Sequence, residues 1–92
     1  MKKGDFMKKC KLLGTGRNGV QITWECEEAK SFTQYGNGIN IIVNEYVDGK
    51  SKNFHSWDCR YIRDYDFFDV CITQFREDYG NNFQCVDLTE EE

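Results

Sequence analysis

At ninety-two residues, with 39% hydrophobic, 15% aromatic and 30% charged side chains, the chain is one domain's worth of protein. It has too much bulky apolar material to stay disordered and too many charges to span a membrane. The net charge of −4 is uneven: residues 1–19 carry six Lys/Arg against one acid, residues 20–63 five against six, and residues 64–92 one against nine. An acidic last third repels a phosphate backbone, so direct nucleic-acid binding is not expected.

Residues 1–7 read as a disordered basic arm. Lys8 to Leu13 forms a short strand, and the run Gly14-Thr15-Gly16-Arg17-Asn18-Gly19 supplies the conformational freedom of a loop between strands. Val20, Ile22, Trp24 and Cys26 alternate with Gln21, Thr23 and Glu25, the period of two of a half-buried strand. Phe32 to Tyr35 resumes a strand before Gly36-Asn37-Gly38 breaks it. Ile39 to Val47 is rich in β-branched residues and carries apolar groups on both faces, as a central strand does. Asp48-Gly49 then offers a two-residue type I′ turn. With that turn, Val47 faces Lys50, and the register sets Val43 opposite Phe54, Ile42 opposite His55 and Asn40 opposite Trp57. The returning segment, Asn53 to Tyr61, places His55, Trp57, Cys59 and Tyr61 on one face.

A helix is expected over residues 66–79, where Phe67, Phe68, Cys71, Ile72, Phe75 and Tyr79 share one stripe. Asp64 or Asp66 caps its start, Asp69 lies in its first turn, and Gly80-Asn81 stops it. Asn82 to Leu88 makes a last strand, and residues 89–92 fray as an acidic tail. The order β-β-(β)-β-β-α-β defines an α+β fold: a single two-layer domain, an antiparallel sheet of about four or five strands with one helix packed on one face. A homodimer stays open, because an apolar strand such as Ile39 to Val47 invites another chain if it lies at an edge.

Cys10, Cys26, Cys59, Cys71 and Cys85 are odd in number, and no apolar run of about seven residues follows the basic start, so no secretory signal is expected. Reduced thiols in a cytoplasmic compartment follow from both observations. No Cys-x-x-Cys occurs, His55 is the sole histidine, and a closed zinc site needs Cys3His drawn from scattered elements, so neither a metal nor a cofactor is expected. Cys26 and Cys71 fall on apolar faces and read as inert small core residues.

Gly14-x-Gly16-x-x-Gly19 has the glycine spacing of a dinucleotide fingerprint, but a strand follows it rather than a helix, and the βαβ context is missing. His55 with Asp58 or Asp64 has the residue types of general acid/base catalysis without any spacing that fixes the geometry. The carboxylates Asp58, Asp64, Asp66, Asp69, Glu77 and Asp78 lack calcium-loop spacing and read as a solvated, capped helix face.

Fourteen aromatic residues exceed what one small core easily encloses. Tyr46, Phe54, Trp57, Tyr61 and Tyr65, rimmed by Asp64, Asp66 and Asp69, therefore suit a protein-binding surface. The function expected first is a small non-enzymatic interaction protein, an inhibitor or adaptor docking this acidic, aromatic face on a host protein or its basic nucleic-acid groove. Composition of this kind is common among accessory proteins of viruses and mobile elements. The alternative is a small-molecule or nucleotide binder using Gly14, Gly16, Arg17 and Gly19 with stacking aromatics. An enzyme built on His55 comes third.

Overall fold

The computed structural model describes residues 7–30 and 38–89. The expected strand Phe32 to Tyr35, most of the basic arm and the last three residues of the acidic tail lie outside them.

Five strands and one helix follow in the order β1 (Lys9–Thr15), β2 (Gln21–Lys30), β3 (Ile39–Val47), β4 (Lys50–Asp58), α1 (Phe67–Tyr79) and β5 (Phe83–Asp87). All pairings are antiparallel, and the sheet runs β4-β3-β2-β1-β5. Because α1 separates β4 from β5, the chain crosses from one edge of the sheet to the other, and the helix lies over one face on the way. The result is the two-layer α+β domain that the patterning implies.

Alternation assigns the two faces. The helix side of β1 and β2 carries Cys10 and Leu12, then Ile22, Trp24 and Cys26, and β3 adds Ile41 and Val43. From α1, Phe67, Cys71 and Phe75 complete the core. Phe68, Ile72 and Tyr79, on the rest of the expected stripe, are only half-buried and pack at its margin. Trp24 is the centre of an aromatic group, with ring centroids 4.9 Å from Phe75, 5.6 Å from Trp57, 6.0 Å from His55 and 6.1 Å from Tyr79.

The helix ends follow the sequence closely. The carboxylate of Asp66 accepts from the backbone N–H of Phe68 at 3.1 Å, so Asp66, not Asp64, is the N-cap. Gly80, at φ 91°, donates its N–H to the Arg76 carbonyl at 2.8 Å and ends the last turn. An N-cap such as Asp66 contributes about 1 kcal/mol.

The β3–β4 hairpin departs from the expected register. Its turn is as anticipated, with Asp48 at φ 52° and Gly49 at φ 83° and Val47 opposite Lys50. A bulge between Glu45 and Tyr46 then makes Tyr46 pair with Ser51 but Glu45 with Asn53, leaving Lys52 as the extra residue. Beyond it, Val43 faces His55, Asn44 faces Phe54 and Ile41 faces Trp57. A one-residue slip exchanges the faces of a strand. It brings His55 and Trp57 to the helix side beside Trp24 and turns Phe54 to the open side. The face expected to hold Cys59 and Tyr61 is also shorter, since β4 ends at Asp58.

β3 lies between β2 and β4, so the strand that would have invited another chain is already paired on both sides. The edge it leaves, β4, carries Lys50, Lys52 and the bulge, features that discourage edge-to-edge pairing.

Gly14 shows how tightly the layers meet. A Cβ there would stand 2.8 Å from Phe75 Cε1 and 2.8 Å from Phe83 Cβ. The first can swing away, whereas the second is fixed to the backbone of β5. Gly14→Ala is therefore expected to cost about 1–3 kcal/mol by overpacking, read as a lower urea midpoint with unchanged slope. Gly16, whose nearest contact would be a Val20 methyl at 3.1 Å, is the milder comparison.

Candidate partner-binding surface

Two buried carboxylates organise the helix side. Glu45, in register with Val43 and Ile41, accepts from Trp24 Nε1 at 3.0 Å and Asn53 Nδ2 at 2.6 Å, and also from the Tyr79 hydroxyl. Burial by itself would raise the Glu45 pKa, but these three donors and the field of His55 outweigh it and hold the carboxyl below its ordinary value. Glu28 accepts from the Tyr65 hydroxyl at 2.8 Å and from the Lys8 backbone N–H at 3.2 Å. Burial, and then the bond to Glu28, push the Tyr65 hydroxyl up; burial and Glu45 do the same at Tyr79. Tyr65 precedes α1 and Tyr79 ends it, so one Tyr–Glu bond ties each end of the helix to the sheet. Neither acid was singled out in the sequence. The period of two does reveal them, because Glu28 shares the face of Trp24 and Cys26, and Glu45 that of Ile41 and Val43.

Between β4 and α1 the chain makes a short loop fixed at several points. Cys59 is buried and donates its backbone N–H to the Ile39 carbonyl at 2.9 Å. Asp58 accepts from the Arg60 backbone N–H at 3.0 Å and from its guanidinium at 2.7 Å, which holds the Asp58 carboxyl below the usual range. That guanidinium lies 5.4 Å from the centroid of the Tyr61 ring. Ile62 N–H reaches the Cys59 carbonyl at 3.3 Å, and Asp64 adopts φ 56°. Tyr61, 75% exposed, and Ile62, 41% exposed, project from this loop. Asp58, Asp64, Asp66 and Asp69 are exposed in this loop and the adjoining turn of α1, with Arg60 and Arg63 as the basic residues among them.

The residues expected to form one binding face are thus divided. Tyr61, Asp64, Asp66 and Asp69 stay together at the loop and the first turn of α1. Tyr65 is half-buried against Glu28, and Trp57 is half-buried against Trp24 at the loop end of β4. Tyr46 and Phe54 lie on the opposite, open face of the sheet, where the Tyr46 hydroxyl donates to Glu25 at 3.4 Å and Phe54 is 64% exposed. No folding of one surface around a partner joins those two groups.

The glycine loop borders a groove of about 430 Å³ lined by Leu13, Thr15, Gln21, Asn82, Gln84 and their neighbours. Three of its backbone donors are committed within the protein: Thr15 N–H to the Asn82 carbonyl, Gly16 N–H to that of Val20 at 2.8 Å, and Gly19 N–H to that of Gly16 at 3.1 Å. Arg17 is exposed in the turn and does not line the groove. An anion cradle needs convergent free amides, and these three point elsewhere. His55 stacks near Trp57 at 6.4 Å, and Asp58, its expected acid/base companion, is held by Arg60.

No protein-family model, curated protein or solved structure matches the chain. No helix among the described residues is long and apolar enough to cross a membrane.

Proposed function

We propose that the protein acts by binding rather than catalysis, docking the acidic Tyr61–Ile62 loop and the adjoining first turn of α1 onto a basic surface of a protein partner, as an inhibitor or adaptor does. The observation that carries this reading is the display of a large aromatic and an aliphatic side chain on a loop whose fixed points are all internal. An exposed anchor held in one conformation loses little entropy on binding, and tyrosine is among the residues that dominate interface energies. The ring of aspartates adds long-range attraction to lysine- and arginine-rich surfaces, including a nucleic-acid groove that the chain would block.

Proteins captured by the immobilised chain from a lysate test this when variants are compared. Tyr61→Ala is expected to weaken the retained partner about tenfold or more, and Asp69→Lys to weaken it further at low salt than at high salt. Phe54→Ala, on the other face, should leave it unchanged. Asp66 is unsuitable for charge reversal because it caps α1. A partner lost with Phe54→Ala but kept by Tyr61→Ala would move the interface to the open sheet face and sink this reading.

A further inference from the structure

The cysteines that the sequence scatters are gathered by the fold. Cys10 on β1 and Cys26 on β2 are direct cross-strand partners, and Cys71 descends on them from α1. Their three sulfurs lie within 4.8 Å of one another, and each residue is 2% exposed or less. Cys85, opposite Leu12 on β5, faces the same side, close enough for its thiol to interact with that of Cys10. Four of the five cysteines, from four elements, meet at one place.

We propose that Cys10, Cys26 and Cys71 form a thiolate site for a thiophilic d10 metal ion of the zinc, cadmium and copper(I) class, with Cys85 at its margin as the available fourth ligand. Three sulfurs about 2.3 Å from one ion stand about 4 Å apart, so closing a triangle already within 4.8 Å takes side-chain shifts below about 1 Å rather than a change of fold. The framework is stiff where it must be. Cys10 and Cys26 are held by the β1–β2 pairing, and Cys71 by a helix tied down at both ends through Tyr65 and Tyr79.

The donor set selects the metal class. It is all sulfur; the two buried acids on this face, Glu28 and Glu45, are already engaged with tyrosine and indole donors, and Asp87, which the register sets opposite Cys10, is exposed and accepts from the Thr89 N–H, so calcium or magnesium finds no oxygen cage here. Each coordinated thiol releases its proton to solvent, and a divalent ion leaves three thiolates with a single net negative charge. Small aliphatic side chains such as Ala or Val could fill such an interior as well as cysteine does. Sulfur in all three positions is what metal binding requires and hydrophobic packing does not. Cys85, half-buried at the sheet edge, is the member of the group nearest solvent.

Cadmium titration of the reduced, folded chain tests the site, with the thiolate-to-cadmium charge-transfer absorbance and far-ultraviolet circular dichroism followed together. Saturation at one ion per chain, retained dichroism and a raised melting temperature are expected. Cys71→Ala and Cys26→Ala, each first shown to be folded, should bind at least tenfold more weakly, whereas Cys59→Ala, outside the cluster, should bind as the parent does. Should either cluster variant fail to fold, Cys71→Val provides the same deletion of a ligand with the core filled. Three results would overturn the proposal: no charge-transfer band while the chain is folded, an equal band in the cluster variants, or binding that grows only as the dichroism is lost.

Discussion

Trp24→Ala is expected to lower the free energy of unfolding by about 3–5 kcal/mol, the range for emptying a large aromatic from a packed core. A domain of this size has roughly 5–15 kcal/mol in all, so much of the variant should unfold at low urea. Trp24 is 1% exposed and touches one ring from β4 and two, Phe75 and Tyr79, from the C-terminal half of α1. Removing it opens a cavity that neither the sheet nor a helix pinned at its ends can collapse to fill. It also deletes one of the three donors to Glu45. Trp24→Phe separates these effects, since it keeps most of the ring contacts while losing the indole N–H and one small ring. A loss near 1 kcal/mol in Trp24→Phe against several in Trp24→Ala would assign the cost to packing. Equal losses would assign it to the hydrogen bond instead, contrary to expectation.

Glu45 gives the second large effect and the clearest dependence on pH. Glu45→Ala leaves the Trp24 indole N–H and the Tyr79 hydroxyl without their acceptor in a largely dry setting, at about 1–3 kcal/mol for each orphaned group. The carboxyl pKa is lower in the folded protein than its ordinary 4.5. Its contribution is therefore complete above pH 4.5 and is lost as the pH falls through the lower folded value. Urea midpoints measured at neutral pH and at successively more acid pH should fall for the wild type. Glu45→Gln should start lower and show a shallower fall, because it has no carboxylate to protonate. Parallel acid losses in the two proteins would mean that another carboxylate controls acid stability.

Glu45 and Glu28 together also explain the stance of the proposed binding loop. Tyr79 on Glu45 and Tyr65 on Glu28 fix α1 at both ends, and the second of these bonds lies directly after the loop that carries Tyr61. A partner would meet a surface whose geometry is set from beneath. Weakening the Tyr65–Glu28 bond should therefore loosen the loop before it unfolds the sheet.

Local features were readable from the amino-acid order. The β2 alternation, the Asp48-Gly49 turn, the α1 stripe, its Gly80 stop and a start capped by Asp64 or Asp66 all depend on neighbours within a few residues, and the α+β layering follows from their succession. The register of β4 did not follow, because the bulge at Lys52 offers no pattern to single it out, and that one residue decided that His55 and Trp57 face the core while Phe54 faces out. The proposed binding face was legible as a composition of aromatics and acids but not as a surface, since the residues expected to form it divide between two sides of a sheet.

By itself, the sequence determined, among the described residues, which segments are strands and which is the helix, and that the whole is acidic and able to bury one core, because periodicity and charge are properties of short stretches of chain. Only the tertiary structure decided which distant groups meet. The strand order placed β1 beside β2, and the crossing of α1 set Cys71 above Cys10 and Cys26, so that thiols far apart in the chain became neighbours within 4.8 Å. Contacts of that kind arise from the packing of whole elements, and no spacing along the chain encodes them.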